Sequence, residues 1–167
     1  MNKTRFHLGA KLQSWTYLHL VQEGRDRRDA WNNDNDAFMA SLKKLHAKMN
    51  EFGMTASGPI NANMRIEINQ GNAAAKVTEN IMKFIANPDR PKPKFLLVIM
   101  PFVDPVFNVI KQNCDIVAGI HCVCVLAPKF AKISDDQYFS NVALKINLVS
   151  NISDESSLLP SVEISLT

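Results

Sequence analysis

Short apolar runs alternate along this chain with segments whose apolar positions recur every three or four residues. The first kind of pattern predicts strands and the second predicts amphipathic helices. Strands are predicted at residues 15–21, 64–69, 94–100 and 120–126, and helices around residues 38–49, 73–86, 105–113 and 135–147. Strands that alternate with helices are typical of a parallel sheet covered on its faces. The pattern therefore predicts an α/β, Rossmann-like fold with a mostly parallel sheet of about four strands flanked by helices.

Local signals place the ends of these helices. Gly53 follows the first helical stripe and predicts its end. Asp104 before Pro105 predicts a helix start, because aspartate caps free backbone amides and proline suits the first turn. Ser134 with Gln137 three residues later has the spacing of a capping box, which predicts where the last helix begins. The proline-rich segment 87–93 predicts a break in regular structure.

Composition narrows the class of protein. A chain of 167 residues, 46% of them hydrophobic, suits one domain with a substantial core. The net charge of +3 permits an anionic ligand without requiring one. The N-terminus lacks the apolar stretch of a signal peptide, and the apolar run 95–103 is too short to cross a bilayer. We therefore expect a soluble intracellular monomer with no membrane partner and with its three cysteines reduced.

Candidate binding groups collect near the predicted end of the sheet. Phe107 and Lys111 are four residues apart and share one helical stripe, and Asn141 and Lys145 share another. Strands ending near residues 100 and 126 should border one crevice, where open α/β sheets bind ligands. The chain has no glycine-rich dinucleotide or triphosphate loop, so side chains would have to hold a phosphate.

The candidates for a metal site are weak. Cys122 and Cys124 form a C-x-C pair on one strand face, but His7, His19 and His46 lack the spacing of metal ligands. We therefore predict neither a metal nor a cofactor.

Three segments together carry a family resemblance: PVFNVIK at residues 105–111, GIHCVCV at 119–125 and SNVALKIN at 140–147. In order and spacing they resemble the guide-binding MID domain of eukaryotic, fungal-like Argonaute proteins. The resemblance implies a domain at residues 1–148 that holds the 5′-monophosphate and first nucleotide of a small guide RNA, followed by a divergent tail at 149–167. It implies as partners a 5′-phosphorylated guide RNA and, in a full-length parent, the PIWI and other Argonaute domains. It also implies RNA silencing in the cytoplasm, with the nucleus as a second location.

The same resemblance assigns roles to individual residues. Phe107 would stack on the first base, and Gln137 and Asn141 would support the site. The implied 5′-phosphate ligands are Lys111, Lys145, His121 and Cys124. The implied loop that reads the first base consists of Pro101, Phe102, Val103, Asp104 and Pro105. The preferred base is left open.

This chain departs from the family pattern at several of these positions. Phe107 stands where most relatives have tyrosine, so the ring can stack but the hydroxyl contact is absent. Val123 stands where many relatives have a phosphate-binding glutamine, and His121 is the candidate replacement. After Asn147 the chain lacks the glycine-containing sequence that leads relatives into their PIWI domain.

Two alternatives to an RNA-binding module stay open. One is a small Rossmann-like hydrolase or transferase that uses a cysteine and His121. Adjacent strand residues face opposite ways, so His121 is badly placed to activate Cys122, and we predict that the chain is not an enzyme. The other is a protein-interaction fragment in which the tail fills the crevice or contacts a partner.

Overall fold

The computed structural model describes residues 9, 11–12, 15–24, 35–56, 64–86, 89, 93 and 95–155. A four-stranded parallel sheet contains β2, β4, β5 and β6, and a small parallel pair contains β1 and β3. The strands are β1 Lys11–Leu12, β2 Trp15–Gln22, β3 Thr55–Ala56, β4 Met64–Ile68, β5 Phe95–Met100 and β6 His121–Leu126. In the larger sheet the order of the described strands is β4-β2-β5-β6, so β6 lies at the edge of this described sheet. The predicted α/β fold with a parallel sheet is confirmed.

The helices follow the predicted periodicity closely. They are α1 Asn35–Glu51, α2 Ala73–Ala86, α3 Val106–Lys111, α4 Ala127–Phe130 and α5 Asp136–Glu155. Helix α3 continues into a π-helical segment, Gln112–Ala118, which ends at Gly119 in the left-handed region with φ 64°. Gly53 follows α1 with φ 93°, as its predicted role requires. The proposed start of a strand at Lys94 and most of the proline-rich segment lie outside the described residues.

Two apolar clusters cover the faces of the sheet. Helices α1 and α5 pack on one face, where Phe38, Leu45, Phe139 and Ile146 are buried. The other face is covered by α2 and α3. All six residues of β5 are buried, as expected for a central strand with both faces covered.

Two predicted helix starts are wrong in detail. Helix α3 begins at Val106, with Pro105 at the cap position and no side-chain capping bond, so Asp104 does not cap it. At α5 the backbone amide of Tyr138 donates to the Asp135 carboxylate at 3.1 Å, so Asp135 is the cap and Ser134 is not. Aspartate and serine are both good caps. Which of two neighbouring residues becomes the cap depends on the residue at which the preceding turn ends.

Helix α5 is tied to α1 at its first turn. The Asp136 carboxylate accepts from Lys48 at 2.7 Å and from Lys44 at 2.9 Å. The helix then passes residue 148 without interruption and is described to Glu155, so it crosses the domain boundary predicted there. Residues 156–167 of the predicted tail lie outside the described residues. Within the described ranges, no helix is both long enough and apolar enough to cross a membrane.

Candidate anion-binding site

A cavity of about 490 Å³ runs along the edge strand β6. Helix α3 contributes residues to one side and helix α5 to the other. The lining consists of Met100, Val103, Phe107, Lys111, Cys122, Val123, Cys124, Val125, Leu126, Lys129, Lys132, Asp135, Gln137, Tyr138, Asn141, Lys145 and Val149. The crevice predicted between the ends of two strands is therefore present, but it extends along the length of β6.

Phe107 and Lys111 lie on the α3 side of the cavity. The Lys111 Nζ is 5.9 Å from the centre of the Phe107 ring and donates to the Cys122 carbonyl at 2.9 Å. Burial opposes the charged form of this lysine, yet its pKa is raised by the neighbouring Cys122, Cys124 and Asp115. Lys111 is therefore a fixed positive charge beside a half-buried aromatic ring.

Lys145 approaches the same cavity from α5. Its pKa is lowered to about 8, first by burial and then by repulsion from Lys111. Both lysines line the same cavity, so their like charges repel each other across it. Two like charges in a partly desolvated cavity favour a bound anion, because the anion relieves both the desolvation and the repulsion.

The rest of the lining adds to the positive potential. Lys129 and Lys132 are exposed residues that follow β6, and they bring the lysines of the lining to four against the single carboxylate of Asp135. Asp135 is also exposed, where water screens its charge. An anionic ligand with one apolar or aromatic part matches this combination.

The cavity brings together seven of the twelve residues predicted for the site. They are Val103, Phe107, Lys111, Cys124, Gln137, Asn141 and Lys145. Gln137 Nε2 donates to Asn141 Oδ1 at 2.9 Å, so these two side chains orient each other on α5.

The other five predicted residues are outside the lining. His121, Pro101, Phe102, Asp104 and Pro105 are absent from the residues that line the cavity. His121 is the first residue of β6, opposite Phe95, and strand alternation directs its side chain away from the face that carries Cys122. The same alternation places the His121 imidazole and the Cys122 thiol on opposite faces of β6, which disfavours a hydrolase or transferase that uses this pair.

Ten of the seventeen lining residues were not among the predicted site residues, and Lys129, Lys132 and Tyr138 are the three that matter most for an anionic ligand with an aromatic part. Lys129 and Lys132 follow the end of β6, where open α/β sheets bind ligands, so their position after the strand is the signal that points to them. Tyr138 was also missed, although it lies one residue after Gln137. Burial raises the pKa of Tyr138 to about 12, and its hydroxyl contacts the backbone of Leu126. The cavity thus has a second aromatic side chain facing it from α5.

Comparison with known proteins places this fold among Argonaute MID domains. No family model matches the chain. In sequence, 77 residues are 35% identical to the rice (Oryza sativa) protein argonaute MEL1, a match that covers 46% of this chain and 7% of that protein. The chain thus spans only a small part of this curated relative.

The structural comparisons agree with the sequence match. The AGO5 MID domain of Arabidopsis thaliana superimposes with a TM-score of 0.63 at 24% identity, covering 87% of this chain and 94% of that one. The C-terminal lobe of a budding yeast Argonaute gives 0.59 at 19% identity over 81% of this chain and 27% of that one. Kluyveromyces polysporus Argonaute gives 0.58 at 19% identity over 81% of this chain and 16% of that one. The resemblance to an Argonaute MID domain is confirmed, and the fold is that of this domain.

Proposed function

We propose that the cavity binds the 5′-monophosphate and first nucleotide of a small guide RNA, as the MID module of an Argonaute-type silencing protein. The observation that carries the proposal is the convergence of Lys111 and Lys145 from two helices on one cavity that also contains Phe107. The resemblance assigns these three residues to the guide 5′ end. A structural relative, the Argonaute from Kluyveromyces polysporus, was solved with a guide RNA.

The two parts of the site would divide the work of binding. The lysines supply affinity for the phosphate, at about 1.5–3 kcal/mol for each hydrogen bond to a charged group. The Phe107 ring supplies a face for the base, and stacking of a base on an aromatic side chain is worth about 1–3 kcal/mol. The half-buried position of both groups reduces screening by salt, so the preference for phosphate should persist at physiological ionic strength.

A titration of the whole chain with matched ligands tests the proposal. A nucleoside 5′-monophosphate should bind much more tightly than the same nucleoside, and the 3′-monophosphate should bind less well because its phosphate and base cannot occupy both parts of the site together. Lys111→Ala and Lys145→Ala should weaken only the 5′-monophosphate. Lys83→Ala is the matched control, because Lys83 is exposed on α2 and pairs with Glu79. Equal affinity for nucleoside and nucleotide would contradict the proposal and favour the protein-interaction alternative.

The wider role is part of the same proposal. In a full-length parent the module would work beside PIWI and other Argonaute domains, as a cytoplasmic component of RNA silencing. The chain itself would bind as a monomer and would perform no catalysis. Sedimentation of the chain with a 5′-phosphorylated oligoribonucleotide should give a complex with one protein per strand, and a second protein on each strand would contradict the monomer.

A further inference from the structure

Tyr138 is an aromatic residue of the cavity wall that phosphate binding does not require. It lies in the first turn of α5, whereas Phe107 lies in α3, so the two helices each bring one aromatic residue to the cavity. Both residues are half-buried in the folded chain. The cavity therefore has an aromatic group on each of its two helical walls, and only Phe107 has a role so far.

The spacing along α5 places Tyr138 on the same helical stripe as the candidate phosphate ligand Lys145. Tyr138, Asn141 and Lys145 follow one another at intervals of three and four residues, and all three line the cavity. At the helical rise, the position of Tyr138 is about 10.5 Å along the helix axis from that of Lys145. On α3 the corresponding separation, from Phe107 to Lys111, is about 6 Å. An anion held between the two lysines would thus have an aromatic residue within one or two helical turns on either wall.

The fold holds the Tyr138 side chain in place before any ligand binds. Its backbone amide donates to the Asp135 carboxylate at 3.1 Å, which fixes the first turn of α5. Its ring forms a T-shaped pair with the ring of Phe139, which is fully buried, and the ring centroids are 5.9 Å apart. Tyr138 also packs against the apolar cluster that α1 and α5 form on the sheet. A side chain that is already ordered loses little conformational entropy when a ligand contacts it.

The chemistry of a tyrosine at this place differs from that of the lysines. An aromatic ring offers a π surface that stacks on any nucleobase, and the hydroxyl can donate or accept a hydrogen bond. Neither group carries a charge at neutral pH, so the side chain adds little to the affinity for phosphate itself. A sugar phosphate without a base would use only the cationic part of the cavity, whereas a nucleotide would use the aromatic part as well.

We propose that Tyr138 is a base-contacting residue which, together with Phe107, makes the cavity selective for ligands that carry an aromatic base beside the phosphate. The inference rests on the proposed function, because it takes the anion between the lysines to be a nucleotide 5′-phosphate. The base that Tyr138 contacts belongs either to the first nucleotide, which the Phe107 ring also contacts, or to the second nucleotide. In both cases the ring acts through stacking and recognises a base rather than a phosphate.

Titration of the whole chain with ribose 5-phosphate, a nucleoside 5′-monophosphate and a 5′-phosphorylated dinucleotide tests the proposal. Tyr138→Leu removes the ring but keeps an apolar side chain that suits a helix. If the ring contacts the first base, this variant should bind the mononucleotide about 5- to 150-fold more weakly. If it contacts the second base, the loss should appear only with the dinucleotide. Binding of ribose 5-phosphate should not change in either case.

Two other variants serve as controls for the titration. Tyr138→Phe keeps the ring and should retain the affinity for both nucleotides. Leu144→Ala should change the affinity for none of the ligands, because Leu144 is an exposed residue of the same helix and lies outside the cavity lining. A thermal melt of each variant shows whether it is folded.

A measurement on the unaltered chain gives an answer even if Tyr138→Leu does not fold. The chain contains two tyrosines, and the other one, Tyr17, is buried in the core on β2. With the tyrosine rings labelled for NMR, the 5′-phosphorylated dinucleotide should shift the ring signals of Tyr138 and not those of Tyr17. Ribose 5-phosphate should shift neither. The signals that disappear in Tyr138→Phe are those of Tyr138.

The outcomes separate this inference from the proposed function. Equal losses for all three ligands in Tyr138→Leu, or unchanged affinities in that variant, would overturn the base contact while the phosphate site stood. Nucleotide binding that leaves the Tyr138 ring signals unchanged would overturn it in the same way. If the wild type bound an unphosphorylated nucleoside as tightly as its 5′-monophosphate, the proposed function would fail, and the inference that rests on it would fail too.

Discussion

Lys145 gives the sharpest test of the binding site, because its pKa of about 8 lies within reach of ordinary buffers. Below that pH the side chain is charged and can hold a phosphate. Above it, the free protein must first take up a proton to bind in the same way. The affinity for a 5′-monophosphate should therefore fall about tenfold for each pH unit above the pKa of Lys145, until the pKa of the bound state is reached.

The fall in affinity at high pH is the alkaline limb of the pH profile. The acidic limb is set by the ionisation of the ligand. A phosphate monoester gains its second negative charge at a pKa of about 6, so affinity should rise through that region. A bell-shaped profile with its maximum near neutrality is the expected result. Lys145→Arg should retain binding but lose the alkaline limb, because arginine stays charged throughout this range.

Unfolding of the chain at high pH would not explain the expected fall in nucleotide affinity. The ordinary pKa of lysine is 10.5, and that of Lys145 in the folded chain is lower, so the unfolded chain binds more protons between these values. Titration of this group therefore makes the folded state more stable as pH rises from about 8 to 10.5. Thermal melts in the same buffers provide the control.

Fluorescence anisotropy with a labelled 5′-phosphorylated dinucleotide, repeated across pH, measures the effect. The unphosphorylated dinucleotide is the reference and should show neither limb. An alkaline limb of equal size in wild type and Lys145→Arg would refute the assignment of that limb to Lys145. A flat wild-type profile would refute contact between this lysine and the phosphate.

Three further predictions follow from the same geometry. Lys111→Ala should weaken 5′-monophosphate binding and flatten its salt dependence by about 0.7 in logarithmic slope per phosphate contact, whereas an unchanged slope in salt titrations would exclude that contact. Phe107→Ala should cost about 1–3 kcal/mol of nucleotide affinity and Phe107→Tyr should bind at least as well; a large loss in the melt with intact affinity would show that the ring only packs. Asp135→Ala should destabilise the chain by about 0.5–2 kcal/mol in urea unfolding, and a larger effect from Ser134→Ala would contradict the assigned cap.

The sequence predicts the fold well, because the positions that are buried in the fold are the apolar positions of the sequence. The unbroken apolar run in β5 is possible only for a strand covered on both faces, and the stripe through Phe139 and Ile146 matches the buried face of α5. The helix starts are less predictable, because Ser134 and Asp135 are both suitable caps. The π-helical continuation of α3, Gln112–Ala118, has no signal in the apolar spacing that predicts α-helices.

The site is only partly predictable for a similar reason. Helical spacing correctly pairs Phe107 with Lys111, because residues four apart share a face whatever the tertiary structure. The loop at 101–105 could be placed near the cavity by topology, but which of its side chains line the cavity depends on the loop path, and only Val103 does. The family motif suggests His121 as a phosphate ligand, but the alternation of side chains along β6 determines where the imidazole points.

The position of β6 at the edge of the sheet links the fold to the proposed function. Among the strands that the structure describes, β6 pairs on one side only, with β5. Some of its backbone groups are therefore not used by that pairing. Lys111 donates to the Cys122 carbonyl of this strand at 2.9 Å, which holds its ammonium at the wall of the cavity. Lys145 is carried by a helix whose first turn is tied to α1 through Asp136. Both charges are thus held by the folded chain itself, which lowers the ordering cost of binding an anion. In the proposed function, this is how two lysines would serve as the phosphate site without a glycine-rich loop.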